Sequence, residues 1–227
     1  MTGKASPNLL HEDVAGRKFL WTRALGAVAP SSKERFRFTS EGAWRAFDPA
    51  HSKLAAALSG KEWPPLPQPG EKVLYLGAAT GTTASHVADL VGKLGVVYAV
   101  EKSPRAFAQL LETAQNWPNM APVLADVRET AAYIGWIPPV DAIYMDVPQV
   151  DQVEIARLHV RRFLRPGGRL FLALKLSSLG RERTYQEHLD RARTLLAEDC
   201  ILEKTISLEP FYRRHAFIVG KSQARNH

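Results

Sequence analysis

The sequence predicts an α/β protein built on an open, mostly parallel sheet with helices on both faces. A C-terminal antiparallel hairpin extends it and a small N-terminal β-rich subdomain precedes it. Three observations carry this. The run Val73–Thr83, VLYLGAATGTT, passes from four apolar residues into a turn of small ones, as a strand covered on both faces does when it opens into a ligand-binding turn. Beyond it, strand patterns alternate with helical ones, the signature of a parallel sheet with crossover helices. At the far end two strand patterns are separated only by a short turn region.

In chain order, the first fifty residues carry short apolar and aromatic groups (Phe19, Leu20, Trp21; Phe36, Phe38; Trp44, Phe47) separated by Gly, Pro and Ser. They read as small β-hairpins. A helix is expected over Ser52–Leu58. The segment WPPLPQPG, Trp63–Gly70, is a stiff connection that proline keeps from being helical, and it marks the change in texture along the chain. The N-terminal subdomain is assigned residues 1–52 and the sheet domain residues 53–227. Strands are expected at Val73–Leu76, Val96–Val100, Pro122–Ala125, Ala142–Met145 and Arg169–Leu174, with helices at Thr83–Val91, Arg105–Gln115 and Gln152–Phe163. Ile201–Leu208 and His215–Val219 form the closing hairpin around Glu209–Arg214.

Composition bounds the rest. At 227 residues and 45% apolar content there is material for a real core. No run of about 18 uninterrupted apolar residues occurs, and the polar start MTGKASPNLLHED lacks the apolar centre of a signal peptide, so neither export nor membrane insertion is expected. Cys200 is the only cysteine, which excludes an intramolecular disulfide and a cysteine-based zinc site. No metal site is assigned. The net charge of +7 favours a polyanionic partner. Eight Lys or Arg stand against three acids between Arg17 and Lys53, and nine arginines fall between Arg157 and Arg193, including Arg161, Arg162, Arg165, Arg181 and Arg183. Taken singly, most of these suit solvated helix faces.

A Rossmann-type sheet accommodates NAD, FAD or S-adenosylmethionine, so architecture alone leaves the cofactor open. The turn reads G-A-A-T-G, with Ala79 where the second glycine of a dinucleotide motif would meet a pyrophosphate. S-adenosylmethionine has no pyrophosphate and tolerates the change. Glu101, at the end of the second strand and twenty residues beyond Gly81, is placed to accept from ribose hydroxyls. Asp126, at the end of the third strand with Val127 beside it, either accepts from an adenine amino group or caps the next helix. Gly77, Glu101 and Asp126 thus sit at the carboxyl ends of three consecutive strands, where such sheets bind ligands.

Two polar residues end apolar strands: Lys175 closes RLFLALK and Asp146 closes AIYMD. Burying either costs free energy unless it is paired or hydrated. On adjacent parallel strands they would emerge at one rim, close enough to pair. Lys53, at a helix start, and His215, beside arginines at a strand start, carry no signal of their own.

The chain from about Trp44 to Gly220 resembles the fibrillarin family. The resemblance rests on FDPAHSKLAAAL, KVLYLGAATGTTASHVADLVG, GVVYAVEKSPR, DVPQVDQ, FLRPGGRLFLALK and LEPFYRRHAFIVG, which occur in the family's order. It implies a Rossmann-like S-adenosylmethionine-dependent methyltransferase sheet and an RNA ribose 2′-O-methyltransferase guided by box C/D RNA, acting in ribosomal and transfer RNA processing. It also implies a lysine, aspartate, lysine, histidine tetrad on Lys53, Asp146, Lys175 and His215. Cofactor contacts carry over to Gly77, Ala79, Thr82, Thr83, Glu101, Lys102, Asp126, Val127, Asp146 and Gln149. Three positions depart from the pattern: Lys102 stands where an aromatic is common, Val127 where alanine is, and DVPQ replaces DVAQ. Implied partners are a Nop-family scaffold protein, a kink-turn-binding protein of ribosomal type, a box C/D guide RNA, and rRNA and tRNA substrates. The glycine- and arginine-rich tail of eukaryotic members is missing from this sequence. The compact archaeal form is therefore expected, working in the cytoplasm of a cell without a nucleolus. In the expected mechanism Lys175 and Asp146 act as a coupled pair that orients and deprotonates the ribose hydroxyl, while Lys53 and His215 stabilise the developing oxyanion or steer the ribose. Competing readings are protein glutamine methylation, a non-catalytic ribonucleoprotein subunit and, least favoured by Ala79, a dehydrogenase.

Overall fold

A computed structural model describes residues 6–14, 17–25, 35–40, 42–60, 62–179 and 184–223. The first strands, β1 (Leu9–Val14), β2 (Arg17–Arg23), β3 (Phe36–Thr39) and β4 (Gly42–Ala46), form an antiparallel sheet in the order β1-β2-β4-β3. Helix α1 (Lys53–Leu58) comes next, started by Ser52, whose side chain accepts from Ala55 N. Then come β5 (Lys72–Leu76), α2 (Thr82–Val91), β6 (Val96–Glu101), α3 (Pro104–Ala114), β7 (Met120–Leu124), β8 (Val140–Met145), α4 (Gln152–Phe163), β9 (Leu164–Lys175), α5 (Tyr185–Ala197), β10 (Cys200–Ser207) and β11 (His215–Ser222). The seven-stranded sheet has the order β10-β11-β9-β8-β5-β6-β7. Its pairs β9-β8-β5-β6-β7 are parallel, while β11 runs antiparallel to both β9 and β10.

The sheet is covered on both faces, as its apolar strands require. Val73 and Tyr75 point into a core shared with α1, α2 and the N-terminal sheet through Leu9, Leu20 and Phe47. Leu74 and Leu76 point into a second core closed by α4 and α5 through Val153, Val160, Leu189 and Leu196. The N-terminal sheet is also fixed by buried polar contacts. Arg45 donates to Asp89 Oδ2 at 2.9 Å and to Ser85 Oγ at 3.0 Å. Thr22 and Trp117 donate to the same carboxylate, both at 2.8 Å.

β11 runs on to Ser222 rather than ending at Val219, and three further elements differ notably from expectation. β7 starts at Met120, two residues before the expected Pro122, and ends at Leu124. β9 begins straight after α4 rather than at Arg169: its first residue Leu164 already pairs with Val140, Gly167 turns the chain with φ 76°, and the register shifts before Ala142 pairs with Arg169. Helix α5 is absent from the sequence-based expectation although its signals are there. Leu189, Ala192 and Leu196 recur at helical spacing, and Thr184 and Glu187 make a capping box.

Five of the seven described arginines of the arginine-rich stretch face carboxylates. Arg157 and Arg161 share Asp199, Arg157 also reaches Glu198, Arg165 pairs with Asp141, Arg169 with Glu203 and Arg193 with Asp190. Arg162 donates to Thr130 Oγ1. Arg181, Arg183 and Lys33 lie outside the described residues. Among those described, no helix is long and apolar enough to cross a membrane, and no cluster of three or more His, Cys, Asp or Glu could hold a metal ion. Cys200 is buried and free, and burial pushes its thiol up to about 12.

Candidate active site

Four elements converge at the carboxyl-end rim of the sheet. β8 continues into Asp146, whose N–H donates to Leu76 O at 3.0 Å, so the residue is still anchored to β5 when its carboxylate leaves the ladder. Lys53, the first residue of α1, donates from Nζ to Asp146 Oδ2 at 2.7 Å. The start of α1 is tied to the start of α2, because Thr83 donates to Ser52 Oγ at 3.2 Å. On the neighbouring strands, Lys175 and His215 are directly opposed in the antiparallel register of β9 and β11, which sets their side chains on one face.

The backbone of Lys175 is clamped. Buried Gln152 accepts from Lys175 N and donates to Lys175 O, both at 2.9 Å. His215 Nδ1 lies 2.9 Å from Arg213 O. A carbonyl can only accept, so Nδ1 carries the proton and Nε2 keeps its lone pair. Burial, and then the charges of Lys53 and Lys175, hold the imidazole below its ordinary pKa, against the Arg213 hydrogen bond and Asp146. His215 is therefore neutral at neutral pH. Tyr212 braces the group: its hydroxyl donates to Ala50 O at 3.1 Å and its ring lies 5.1 Å from Lys53 Nζ.

The four tetrad residues are thus brought together, with one correction. Asp146 and Lys175 sit at the ends of adjacent parallel strands, yet the ion pair of Asp146 is with Lys53. α1 crosses the rim and offers its lysine first, a contact between residues far apart in sequence that strand adjacency did not reveal.

Asp146 also lines a cavity of about 160 Å³ with Gly77, Ala79, Val100, Glu101, Lys102, Val127, Val147, Pro148 and Gln149. Its acidic wall is organised by backbone. Ala79 has φ 49°, and that left-handed turn lets its N–H donate to Glu101 Oε2 at 2.9 Å while Ser103 N donates to Oε1 at 2.8 Å. Both oxygens retain lone pairs for further donors. Asp126 stands beside this wall, accepting from Arg128 N at 3.0 Å and facing Lys102 Nζ at 3.5 Å. That backbone hydrogen bond first, and Lys102 with it, lowers its pKa. Asp126, Thr82 and Thr83 do not line the cavity itself; the Thr83 hydroxyl faces Ser52. Gly77 has a different reason to be glycine than ligand approach: with φ 82°, an added Cβ would fall 2.4 Å from Asp146 O. Its smallness lets the chain after β8 cross closely and bring Asp146 over the cavity.

A larger cavity, about 510 Å³, lies between Asn8, Arg23 and Lys93 and contains none of the expected site residues. Gln152 and Tyr212 were missed by sequence reasoning. The signals were a glutamine on the apolar side of α4 and a tyrosine three residues before His215.

The family model for fibrillarin matches residues 8–224. The chain is 38% identical over 193 residues to the rRNA 2′-O-methyltransferase fibrillarin of Neurospora crassa, covering 85% of this chain and 60% of that protein. It spans less than two thirds of that relative's length. It is 38% identical over 180 residues to the fibrillarin-like rRNA/tRNA 2′-O-methyltransferase of Methanopyrus kandleri, covering 78% and 77%. Among solved structures, the Methanococcus jannaschii fibrillarin pre-rRNA processing protein superposes with a TM-score of 0.92 at 31% identity over 98% of this chain and 97% of that one. Aeropyrum pernix fibrillarin with natively bound S-adenosyl-L-methionine gives 0.85 at 33% over 96% and 95%. A fibrillarin in complex with Nop5p gives 0.83 at 31% over 96% and 99%.

Proposed function

We propose, from the premise that this chain belongs to the fibrillarin family, that it is an S-adenosylmethionine-dependent RNA ribose 2′-O-methyltransferase. Its substrates are ribosomal and transfer RNA. It works in the cytoplasm, assembled with a Nop-family scaffold protein, a kink-turn-binding protein and a box C/D guide RNA that selects the target. The observation that carries this reading is Asp146, which belongs to two sites at once: it lines the cleft beside Glu101 and holds Lys53 of the tetrad.

The residues around the cleft fit the cofactor chemically. Glu101 offers carboxylate lone pairs to a ribose diol, Asp126 an acceptor for an adenine amino group, and Val100 and Val127 an apolar wall. Gly77, Ala79, Lys102 and Gln149 complete the lining, and Thr82 and Thr83 stand at the adjacent helix start. When bound, S-adenosylmethionine supplies an electrophilic methyl group. The chain's own task is to align a ribose hydroxyl and take its proton. His215 Nε2 has the free lone pair for that proton. Lys53, held by Asp146, and Lys175 offer positive charge to the oxygen as it becomes negative. This revises the expectation that Asp146 and Lys175 act together as the base.

The test reconstitutes the chain with scaffold, kink-turn protein and box C/D guide. Methyl-labelled cofactor is supplied with a matched RNA carrying ribose or 2′-deoxyribose at the target. Label in the ribose target alone supports the reading. Label in protein glutamine instead, or none despite measured cofactor binding, would replace it with the protein-methylating or non-catalytic alternative.

A further inference from the structure

In the arginine-rich stretch, Arg157, Arg161, Arg165 and Arg169 are matched by Asp199, Asp141 and Glu203. The turn between β10 and β11 is the opposite case. Arg213 and Arg214 are exposed, and neither has a carboxylate partner among the described residues. Beside them Phe211 leaves 43% of its surface to solvent. One exposed phenylalanine means little. Next to two unpaired guanidinium groups it makes a surface of the kind that stacks bases and holds phosphates.

The turn is built into the tetrad. Tyr212 N donates to Leu208 O at 3.0 Å, and its ring and hydroxyl meet Lys53 and Ala50. Arg213 O accepts from His215, and Arg214 O accepts from Leu176 N at 3.1 Å, next to Lys175. Arg214 has φ 56°, a left-handed conformation unfavourable for a residue with a Cβ. Such local strain persists where the surroundings impose it. Whatever the turn holds is thereby fixed relative to Lys175 and His215.

We infer that Phe211, Arg213 and Arg214 form the contact for the acceptor strand. The two arginines hold phosphates flanking the target nucleotide and Phe211 stacks on a neighbouring base, which presents the 2′-hydroxyl to Lys175 and His215. This rests on the RNA methyltransferase reading. Phosphate and stacking contacts carry no sequence information, which suits an enzyme whose target is chosen by base pairing to a guide.

The test compares wild type, Arg213→Gln/Arg214→Gln, Phe211→Ala, Phe211→Trp and, as a control away from the turn, Arg165→Gln, all in the reconstituted particle. The double arginine variant is expected to raise KM for RNA about tenfold. It should also flatten the dependence of log kcat/KM on log salt by roughly 1.4 to 1.8, the loss of two phosphate contacts, with cofactor affinity unchanged. Phe211→Ala is expected to lower kcat/KM and Phe211→Trp to restore it, while Arg165→Gln leaves the salt slope as it was. Wild-type KM and salt slope in the double variant would overturn the inference. Should wild type transfer no label to RNA, the functional reading fails. Fluorescence anisotropy with a labelled single-stranded RNA then decides for the turn: weaker binding by the double variant supports it and equal binding overturns it.

Discussion

Lys53 Nζ and Asp146 Oδ2 meet at 2.7 Å across 93 residues of sequence, joining the start of α1 to the end of β8. Both side chains are only about a quarter exposed or less, so each holds the other in place where solvent screening is incomplete. Lys53→Met and Asp146→Asn are each expected to slow single-turnover methyl transfer by roughly 100-fold or more. The double variant should be no slower than the worse single one, because the two act as a unit. Losses that multiply in the double variant would show that they act separately. Asp146→Asn should also weaken cofactor binding, which Lys53→Met should not, since only the aspartate lines the cleft.

His215 gives the reaction its pH dependence. Its pKa is held below the ordinary value of 6.5 by burial first and by Lys53 and Lys175 after it. A base works in its neutral form, so log rate should climb with unit slope below the lowered pKa and level off above it, at lower pH than an ordinary imidazole would give. His215→Gln should remove that limb along with most of the rate. An acid limb that persists unchanged in His215→Gln would take the imidazole out of proton transfer.

Gln152 serves Lys175 through backbone alone. Gln152→Leu would leave a partly buried N–H and C=O without their partner, at no more than about 1–3 kcal/mol for each group. Urea denaturation should register that loss. The variant's kcat should fall while its cofactor affinity stays, and an unchanged kcat would show that Lys175 does not depend on the clamp.

The junction between the N-terminal sheet and α2 depends on a buried ion pair, Arg45 with Asp89. Asp89→Ala deprives Arg45 of its carboxylate and is expected to cost roughly 3–5 kcal/mol. Arg45→Met with Asp89→Leu should recover much of that stability, since an apolar pair of similar volume needs no desolvation. Equal unfolding midpoints for wild type and Asp89→Ala would contradict this account.

Acid should weaken the fold through His159. Burial lowers its pKa to about 4, and its ring accepts a hydrogen bond from the buried Tyr133 hydroxyl at 2.6 Å. The unfolded chain binds this proton near pH 6.5, the folded chain only near 4. The contribution is therefore complete above pH 6.5 and declines as pH falls towards 4, by about 3 kcal/mol at most. His86 shifts in the same direction and Asp89 in the opposite one, so the comparison is between wild type and His159→Gln at pH 7 and 4.5. The variant should lose less stability on acidification; an equal loss would assign the effect elsewhere.

The sheet was legible because its signal is local. Val73–Leu76 and Gln152–Phe163 are continuous apolar or periodic runs whose burial comes from hydrophobicity and spacing. The same holds for Glu101 and Asp126, since strand ends in such a sheet define the ligand rim. Lys53 and His215 carried no local signal. They entered only through resemblance, because a lysine at a helix start and a histidine at a strand start are ordinary in isolation. α5 was not legible in the same way, because its many charged residues obscure the helical spacing of Leu189, Ala192 and Leu196.

By itself the sequence determined the fold class, the strand that opens into the ligand turn, the acids at the sheet rim and, through its motifs, the family. Only the tertiary structure decided which charges meet. It joined Asp146 to Lys53 rather than Lys175, matched Arg157 and Arg161 of α4 and Arg165 and Arg169 of β9 to acids, and left Arg213 and Arg214 beside His215 with no carboxylate partner among the described residues. The physical reason is range: burial patterns are written residue by residue, whereas an ion pair forms only between side chains that a whole topology brings within a few ångströms.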